Sequence, residues 1–470
     1  MDGGSSHNRQ RARRKGCGED LVTARRVDAV VVGGGIAGLA SAWLLRGRDV
    51  LLLEADARVG GRICSERRGE YWLNWGAHVF AGPGSATGRL LDEMGIRAEP
   101  VPGELAALAM NGRLLTDGRV ETYPFRIPMA WSDRIAVLRA GLKVRLAVQR
   151  YGNAAEPRPA EAPGERQQRV YDFLGDQTFS QFTGKLPADA DALFRPTVTR
   201  SAGSPEQVSA GAGIGYFRLV WDRKSGLSRN IVGGSAALTE AIGAGLGPRV
   251  VLGAEVLTAI QHKDGVSVRY RRGNAEEEVQ ASHCVLATPA PIARQLATGL
   301  APETAEALGK VVYGPFVSAA FLTNETKPQP WDRCYAIATP KRAFNVFFNM
   351  TSLARSQERE RRPGSSIMVF SPAALAAALL DLDDSEIINR YLNDLDNIFP
   401  RFSGHIVEAH VRRWPLGLAY CFPGRGRIQK ALTRPAERIH LAGDYLGTFY
   451  TETAVETGWK AANTILRALA

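Results

Sequence analysis

The chain has 470 residues, 45% of them hydrophobic and 23% charged, with 59 Lys/Arg against 48 Asp/Glu for a net charge of +11. That composition fits a folded protein with a large core and more than one domain, and it excludes a disordered or collagen-like chain. The basic excess has no nucleic-acid reader motif beside it, five scattered cysteines without a CxxC pair argue against a zinc site and for a reducing, cytoplasmic setting, and no apolar run is long enough to span a membrane.

Residues 1–26 carry seven Lys/Arg against three Asp/Glu and no apolar core, so they are expected to be a disordered basic tail without a secretion signal. The first structured unit follows at once. Val27–Val32 is an apolar run that ends in Gly33-Gly34-Gly35-Ile36-Ala37-Gly38, helix formers continue to Arg46, and a second apolar run, Val50–Leu53, delivers Glu54. Gly33, Gly35 and Gly38 stand in G-x-G-x-x-G register: the first for a tight turn, the second for backbone approach to a pyrophosphate, the third for close packing of helix on strand. The helix start, including Ile36 and Ala37, offers unpaired N–H groups to phosphates, and Glu54 stands where a carboxylate accepts ribose hydroxyls. A dinucleotide-binding unit is predicted. Next come Ala55 and Arg58-Val59-Gly60-Gly61-Arg62, where two glycines again imply close backbone approach and Arg62 is placed to meet a phosphate.

The combination of the glycine fingerprint, Glu54 and Arg58-x-Gly60-Gly61-Arg62 resembles the flavin-dependent amine oxidase superfamily. That superfamily includes monoamine and polyamine oxidases, protoporphyrinogen oxidases and phytoene-type desaturases. The resemblance implies FAD as the cofactor. It also implies an α/β fold: a Rossmann-like FAD-binding domain from 27–99, 226–300 and 426–470, and a discontinuous α+β substrate domain, a mixed sheet flanked by helices, from 100–225 and 301–425.

Asn74-Trp75-Gly76-Ala77-His78 is similar to the family's segment near the flavin ring, with Asn74 where an acidic residue is common. Trp131–Tyr151 has helical spacing of Ile135, Leu138, Leu142 and Leu146 among Arg and Lys, a basic amphipathic pattern that permits peripheral membrane contact. The Pro-, Ala- and Arg-rich stretch 153–169 reads as a loop, and the aromatics Phe179, Phe182, Tyr216, Phe217 and Trp221 are candidates for packing or for lining a substrate cavity. Strands are predicted at Val250–Val256, Val266–Tyr270, Cys284–Ala287, Phe316–Leu322, Phe344–Phe348 and Ile439–Asp444, and a last helix from Ala454.

The resemblance assigns Val256 to the adenine and Gly443-Asp444 to the ribityl and phosphate part of FAD. Thr453, Ala454 and Val455 fall at the flavin's pyrimidine edge, and Trp414 is a further candidate for binding the cofactor. Monoamine oxidases steer the amine between two aromatic walls. Here Tyr450 matches one and Gly417 falls at the other, so half of the cage is missing. Leu416 stands where those enzymes bond a cysteine to the flavin, which implies non-covalent FAD. Ser318 takes the place of the family's water-holding lysine. Tyr450, Tyr420, His78 and Ser318 are the candidate catalytic residues, with no metal. The implied reaction is hydride removal from a carbon next to nitrogen in a bulky, partly apolar amine, amide or amino-acid-like substrate, with O2 as acceptor and a place in secondary metabolism. The alternatives are desaturation of a porphyrinogen- or isoprenoid-type substrate, or a non-redox flavoprotein. A homodimer is compatible with the sequence.

Overall fold

The computed structural model describes residues 25–101, 107–221, 227–356, 360–447 and 451–470. It contains two large sheets, the first built from three separated stretches of chain and the second from two. The first runs Val250–Leu252, Val50–Glu54, Arg25–Val32, Ala275–Leu286, Val266–Arg272, Ala254–Gln261 and Ala297–Thr298, with Ile439–Leu441 added against Ala275–Leu286. Its centre is parallel and its 254–286 portion is an antiparallel meander. The near-continuous apolar runs of the parallel strands follow from burial on both faces. Val30, Val32, Leu51, Leu53 and Leu286 pack into one core, while Ala29, Val31, Val50, Leu52 and Val285 pack into another on the opposite face.

Two helices cross on that second face, Ile36–Leu44 and Thr451–Ala468. The contact is possible because Gly458 has no side chain: a Cβ there would lie 2.3 Å from the Ala37 carbonyl oxygen. Ser41 Oγ closes the crossing by donating to the carbonyls of Ala37 at 3.0 Å and Gly458 at 2.9 Å.

The second sheet has the order Ile406–Ala419, Tyr313–Thr323, Ser366–Pro372, Val346–Asn349, Ala336–Ala338, Ala107–Met110 and Arg113–Leu115. It is antiparallel except where Ala336–Ala338 lies parallel to Ala107–Met110, so the sheet is mixed. One face carries Val317, Ala319, Phe321, Phe347, Ile367 and Val369 into a core with Ile387, Tyr391 and Leu395 of the helix Asp384–Ile398. The residues between them point the other way, toward the first sheet. A helical layer formed by Trp131–Ala155, Phe179–Thr183, Ala188–Thr199 and Ala210–Trp221 packs around Val144, Phe179, Phe194, Val198, Ile214 and Phe217.

Three expectations are corrected. Arg25 and Arg26 belong to the first strand, pairing with Val279 and Gln280, so the sheet starts two residues inside the predicted tail; residues 1–24 lie outside the described residues. The stretch 153–169 is not a loop throughout: the long helix runs to Ala155 and another, Pro163–Asp172, begins with proline at its first position, where no N–H is needed. Glu161 holds the connection through Arg169, whose guanidinium also reaches backbone carbonyls of the preceding helix. The predicted strand Val250–Val256 is split at Gly253, which turns at φ +66°. Among the described residues, no helix is long and apolar enough to cross a membrane.

Candidate active site

A cavity of about 1390 Å³ runs between the two sheets and on to the helical layer. Its first end is the glycine turn. Gly33 turns at φ +100°, and Gly38 packs so tightly that a Cβ would lie 1.9 Å from the Gly33 carbonyl oxygen. At Gly35 a Cβ would meet nothing within 4 Å, because its backbone borders the cavity. Gly38 therefore serves packing and does not line the cavity, whereas Gly33, Gly35, Ile36 and Ala37 do. Glu54 is fixed by its own turn: Oε2 accepts from the Gly34 N–H at 2.5 Å and Oε1 from the Asp56 N–H at 2.8 Å. Ala55 and Val256 line the cavity beside it.

The two arginines of the second glycine segment do different work. Arg58 spends its guanidinium on the carbonyls of Val59, Gly61 and Ile63 at 3.0, 2.7 and 3.2 Å. It clamps the loop and is not among the cavity-lining residues, which corrects its assignment to the cofactor. Gly60 and Gly61 line the cavity at φ +109° and +53°. Arg62 reaches across 382 positions to Asp444 in a bidentate pair, both bonds 2.8 Å, and donates to the Gly417 carbonyl at 3.1 Å. Arg62, Gly443 and Asp444 all border the cavity. Thr451 and Ala454, at the start of the last helix, border it too, so the positive end of that helix dipole faces the space. Thr453 and Val455 are buried and do not line the cavity, which limits the helix contact to the adjoining positions.

The middle of the cavity starts at Gly76, Ala77 and His78. Asn74 is fully buried, its Oδ1 accepting from Ser235 Oγ at 2.9 Å and its Nδ2 donating to the Gly76 carbonyl at 2.9 Å. A carboxylate could not donate that second bond, so the amide suits this loop. His78 Nδ1 lies 2.9 Å from the same carbonyl, which accepts only, so the proton is on Nδ1. Nε2 is then a bare lone pair, buried without a hydrogen-bond partner among the described residues. Burial pushes this imidazole down to about 4, so it is neutral at pH 7. Its ring packs edge-on against Phe348 at 4.7 Å.

The cavity face of the second sheet is aromatic. Register aligns Ser318 with Phe370 and Arg412, Phe316 with Trp414, and Phe348 with Met368. Phe316 meets Phe370 edge-on at 5.4 Å, Phe370 stacks on Phe348 at 5.8 Å, and Tyr335 tilts against Phe348 at 5.7 Å. All four line the cavity. Ser318 also lines it, but its hydroxyl is engaged, donating to the Trp75 carbonyl at 2.8 Å and accepting from Trp414 Nε1 at 3.2 Å. At Gly417 a Cβ would lie 2.6 Å from Phe316 Cδ2, so the phenyl ring of the neighbouring strand occupies the space where a second wall would rise. Leu416 borders the cavity, and among the described residues no cysteine does.

Tyr420 is corrected. It is buried in the helical-layer core, where a Cβ on Gly203 would lie 3.0 Å from its ring, and it does not line the cavity. Tyr450 lies outside the described residues. The aromatic set Phe316, Tyr335, Phe348 and Phe370 was not foreseen. Period-two alternation within each strand holds the signal, but strand register, which a single strand does not encode, brings the four together. Phe217 and Trp221 do line the far end of the cavity, whereas Phe179 and Phe182 pack in the helical core.

The family model described as flavin containing amine oxidoreductase matches residues 36–466. The chain belongs to this family. Among curated members, flavin-containing amine oxidase A of Bos taurus is 26% identical, covering 94% of this chain and 85% of the bovine protein. Chloroplastic protoporphyrinogen oxidase 1 of Arabidopsis thaliana is 24% identical, covering 94% and 88%. Among solved structures, putrescine oxidase bound to putrescine aligns with a TM-score of 0.73 at 19% identity, over 94% of this chain and 99% of that one. Cyclohexylamine oxidase from Brevibacterium oxydans IH-35A aligns with a TM-score of 0.73 at 18% identity, over the same shares. At these identities the structural likeness speaks for the fold.

The family's flavin fits the residues present. The open backbone at Gly35, the fixed carboxylate of Glu54, the Arg62–Asp444 pair and the helix end at Thr451 form one continuous cradle. The cavity exceeds the several hundred Å³, up to about 1,000, of an ordinary small-molecule pocket, which leaves room for a second molecule beside a dinucleotide.

Proposed function

We propose that the protein is an FAD-dependent oxidase of a bulky, partly apolar amine or amino-acid-like compound, removing a hydride from the carbon next to nitrogen to give an imine, with O2 as acceptor. Bound flavin would supply the hydride acceptor and the route to O2. The chain's own residues hold the cofactor, shape the chamber and exclude water.

The observation that carries this reading is the charge distribution along the cavity. Glu54, Asp56 and Glu255 lie at the dinucleotide end, Asp444 is neutralised by Arg62, and Glu121 lies near Arg119 and Arg145 at the far end. Between them, the chamber of Phe316, Tyr335, Phe348, Phe370, Met368 and Leu416 holds no carboxylate among the described residues. A second positive charge on the substrate would be left unpaired there, so a neutral monoamine with a large apolar body suits it better than a diamine. His78 borders that chamber, but its Nε2 is buried away from it, so the residue shapes the wall and offers the substrate no acceptor at that atom. Leu416 has no nucleophile, which supports non-covalent FAD. Trichloroacetic acid precipitation would then leave all of the flavin in the supernatant.

The same apolar chamber favours one competing reading, desaturation of a porphyrinogen- or isoprenoid-type substrate. Anaerobic titration separates the two. Bleaching of the flavin by bulky amines, with peroxide and imine formed on admitting air, supports the oxidase. Bleaching by polyenes or porphyrinogens alone supports the desaturase, and no bleaching by either class favours a non-redox role.

A further inference from the structure

The helix Trp131–Ala155 is apolar on two sides. Val137, Ala140, Val144 and Ala147 face the helical-layer core. On the other side Trp131, Ile135, Leu138, Leu142 and Leu146 are all exposed, Trp131 at 71% and Leu142 at 63%. Their spacing of four, three, four and four residues makes a single stripe along the helix. Phe125, 57% exposed, precedes the same helix.

Cations flank this stripe. At 100° per residue, Arg134 and Arg145 fall on one side of it and Arg139, Lys143 and Arg150 on the other. The helix presents no exposed carboxylate, because Asp133 is buried and accepts from the N–H groups of Asp189 and Ala190 at 2.9 and 3.3 Å. Neither Arg139 nor Arg150 has an ion-pair partner among the described residues. The stripe is also the rim of the cavity, since Leu138, Gly141, Leu142 and Arg145 line it.

We propose that this face docks on an anionic lipid surface, with the helix lying in the plane of the headgroups and the cavity mouth opening into the interface. An apolar stripe between two cationic margins matches acyl chains below and anionic headgroups above. A second copy of the chain is the poorer occupant. A two-fold contact through the stripe would bring two rows of arginine together with no exposed acid on the helix to separate them. Docking here would let an apolar substrate pass from bilayer to chamber between Leu138 and Leu142 without crossing water.

The test is flotation of the flavin-loaded full chain with phosphatidylcholine vesicles containing about one-third phosphatidylglycerol. The protein is expected to float with these vesicles, less with pure phosphatidylcholine, and less at high salt. The double variant Ile135→Glu/Leu146→Glu, outside the cavity lining, should lose about tenfold or more in vesicle partitioning. Its flavin content and its reduction by a water-soluble amine should match the parent. Arg139→Glu/Arg150→Glu should weaken binding to the anionic vesicles and leave the low binding to neutral ones unchanged. Failure of the parent to float with anionic vesicles overturns the proposal, as does equal partitioning of Ile135→Glu/Leu146→Glu. A dimer in sedimentation equilibrium that this variant dissociates would also overturn it, in favour of a second copy. Flavin reduction is read separately, so failure of the docking face and failure of the proposed chemistry are distinguishable.

Discussion

His78 allows the site's electrostatics to be tested through stability. In the unfolded chain an imidazole takes its proton near 6.5, whereas burial holds the folded ring neutral until about pH 4. Between those values the unfolded chain binds more protons than the folded one, so stability rises with pH through that window and is lost on acidification. The difference corresponds to about 3 kcal/mol between pH 7 and pH 4. His78→Asn keeps a donor that can reach the Gly76 carbonyl and cannot titrate. Urea unfolding of parent and variant at both pH values, with saturating FAD, isolates the contribution. The parent should lose about 3 kcal/mol more than the variant on going to pH 4. His440, also lowered to about 4 by burial, is common to both proteins and cancels in the comparison. Parallel losses in the two proteins would show that His78 carries its proton in the folded state or is solvated, and the buried, unpartnered Nε2 would go with it.

Asp444→Asn should reduce flavin retention on gel filtration by about tenfold or more, because Arg62 loses a charged bidentate partner at the cavity wall proposed to hold the cofactor. Retention equal to the parent would leave the pair a structural role only. Ser318→Ala should lower stability by about 1–2 kcal/mol through the bonds to Trp75 and Trp414, while kcat stays within about threefold. A kcat loss of two orders of magnitude would instead give the hydroxyl a part in the reaction. Gly417→Tyr should give little folded protein, since a Cβ alone lies 2.6 Å from the Phe316 ring, and Gly417→Tyr/Phe316→Ala should recover it. Tyr450→Ala should slow flavin reduction markedly more than it lowers FAD content, and equal rates would remove Tyr450 from the site.

The legible parts of this protein are those where one short stretch holds both cause and effect. Gly33-x-Gly35-x-x-Gly38 announces a turn, a helix start and a close crossing because each glycine acts within a few residues of itself. Glu54 is legible for the same reason, its two oxygens being fixed by N–H groups at Gly34 and Asp56. Arg58 and Arg62 look equivalent in the sequence, yet one binds its own loop and the other a residue 382 positions away. Tyr420 precedes a conspicuous Phe-Pro-Gly turn but packs into the helical core, a choice made by elements far from it in the chain. The aromatic wall depends on three inter-strand registers, and Ser318 is held by Trp75 and Trp414 together. Such arrangements follow from topology.

The Arg62–Asp444 bridge also sets a timetable. Asp444 lies 382 positions beyond Arg62 and the helix from Thr451 follows it, so the cradle cannot close until synthesis has passed that helix. Until then the strand Ala275–Leu286 lacks its neighbour Ile439–Leu441 along Cys284–Leu286, and that stretch of apolar sheet edge stays open. An exposed edge of this kind favours misassociation during synthesis, and flavin can complete the cradle only after the helix Thr451–Ala468 has emerged.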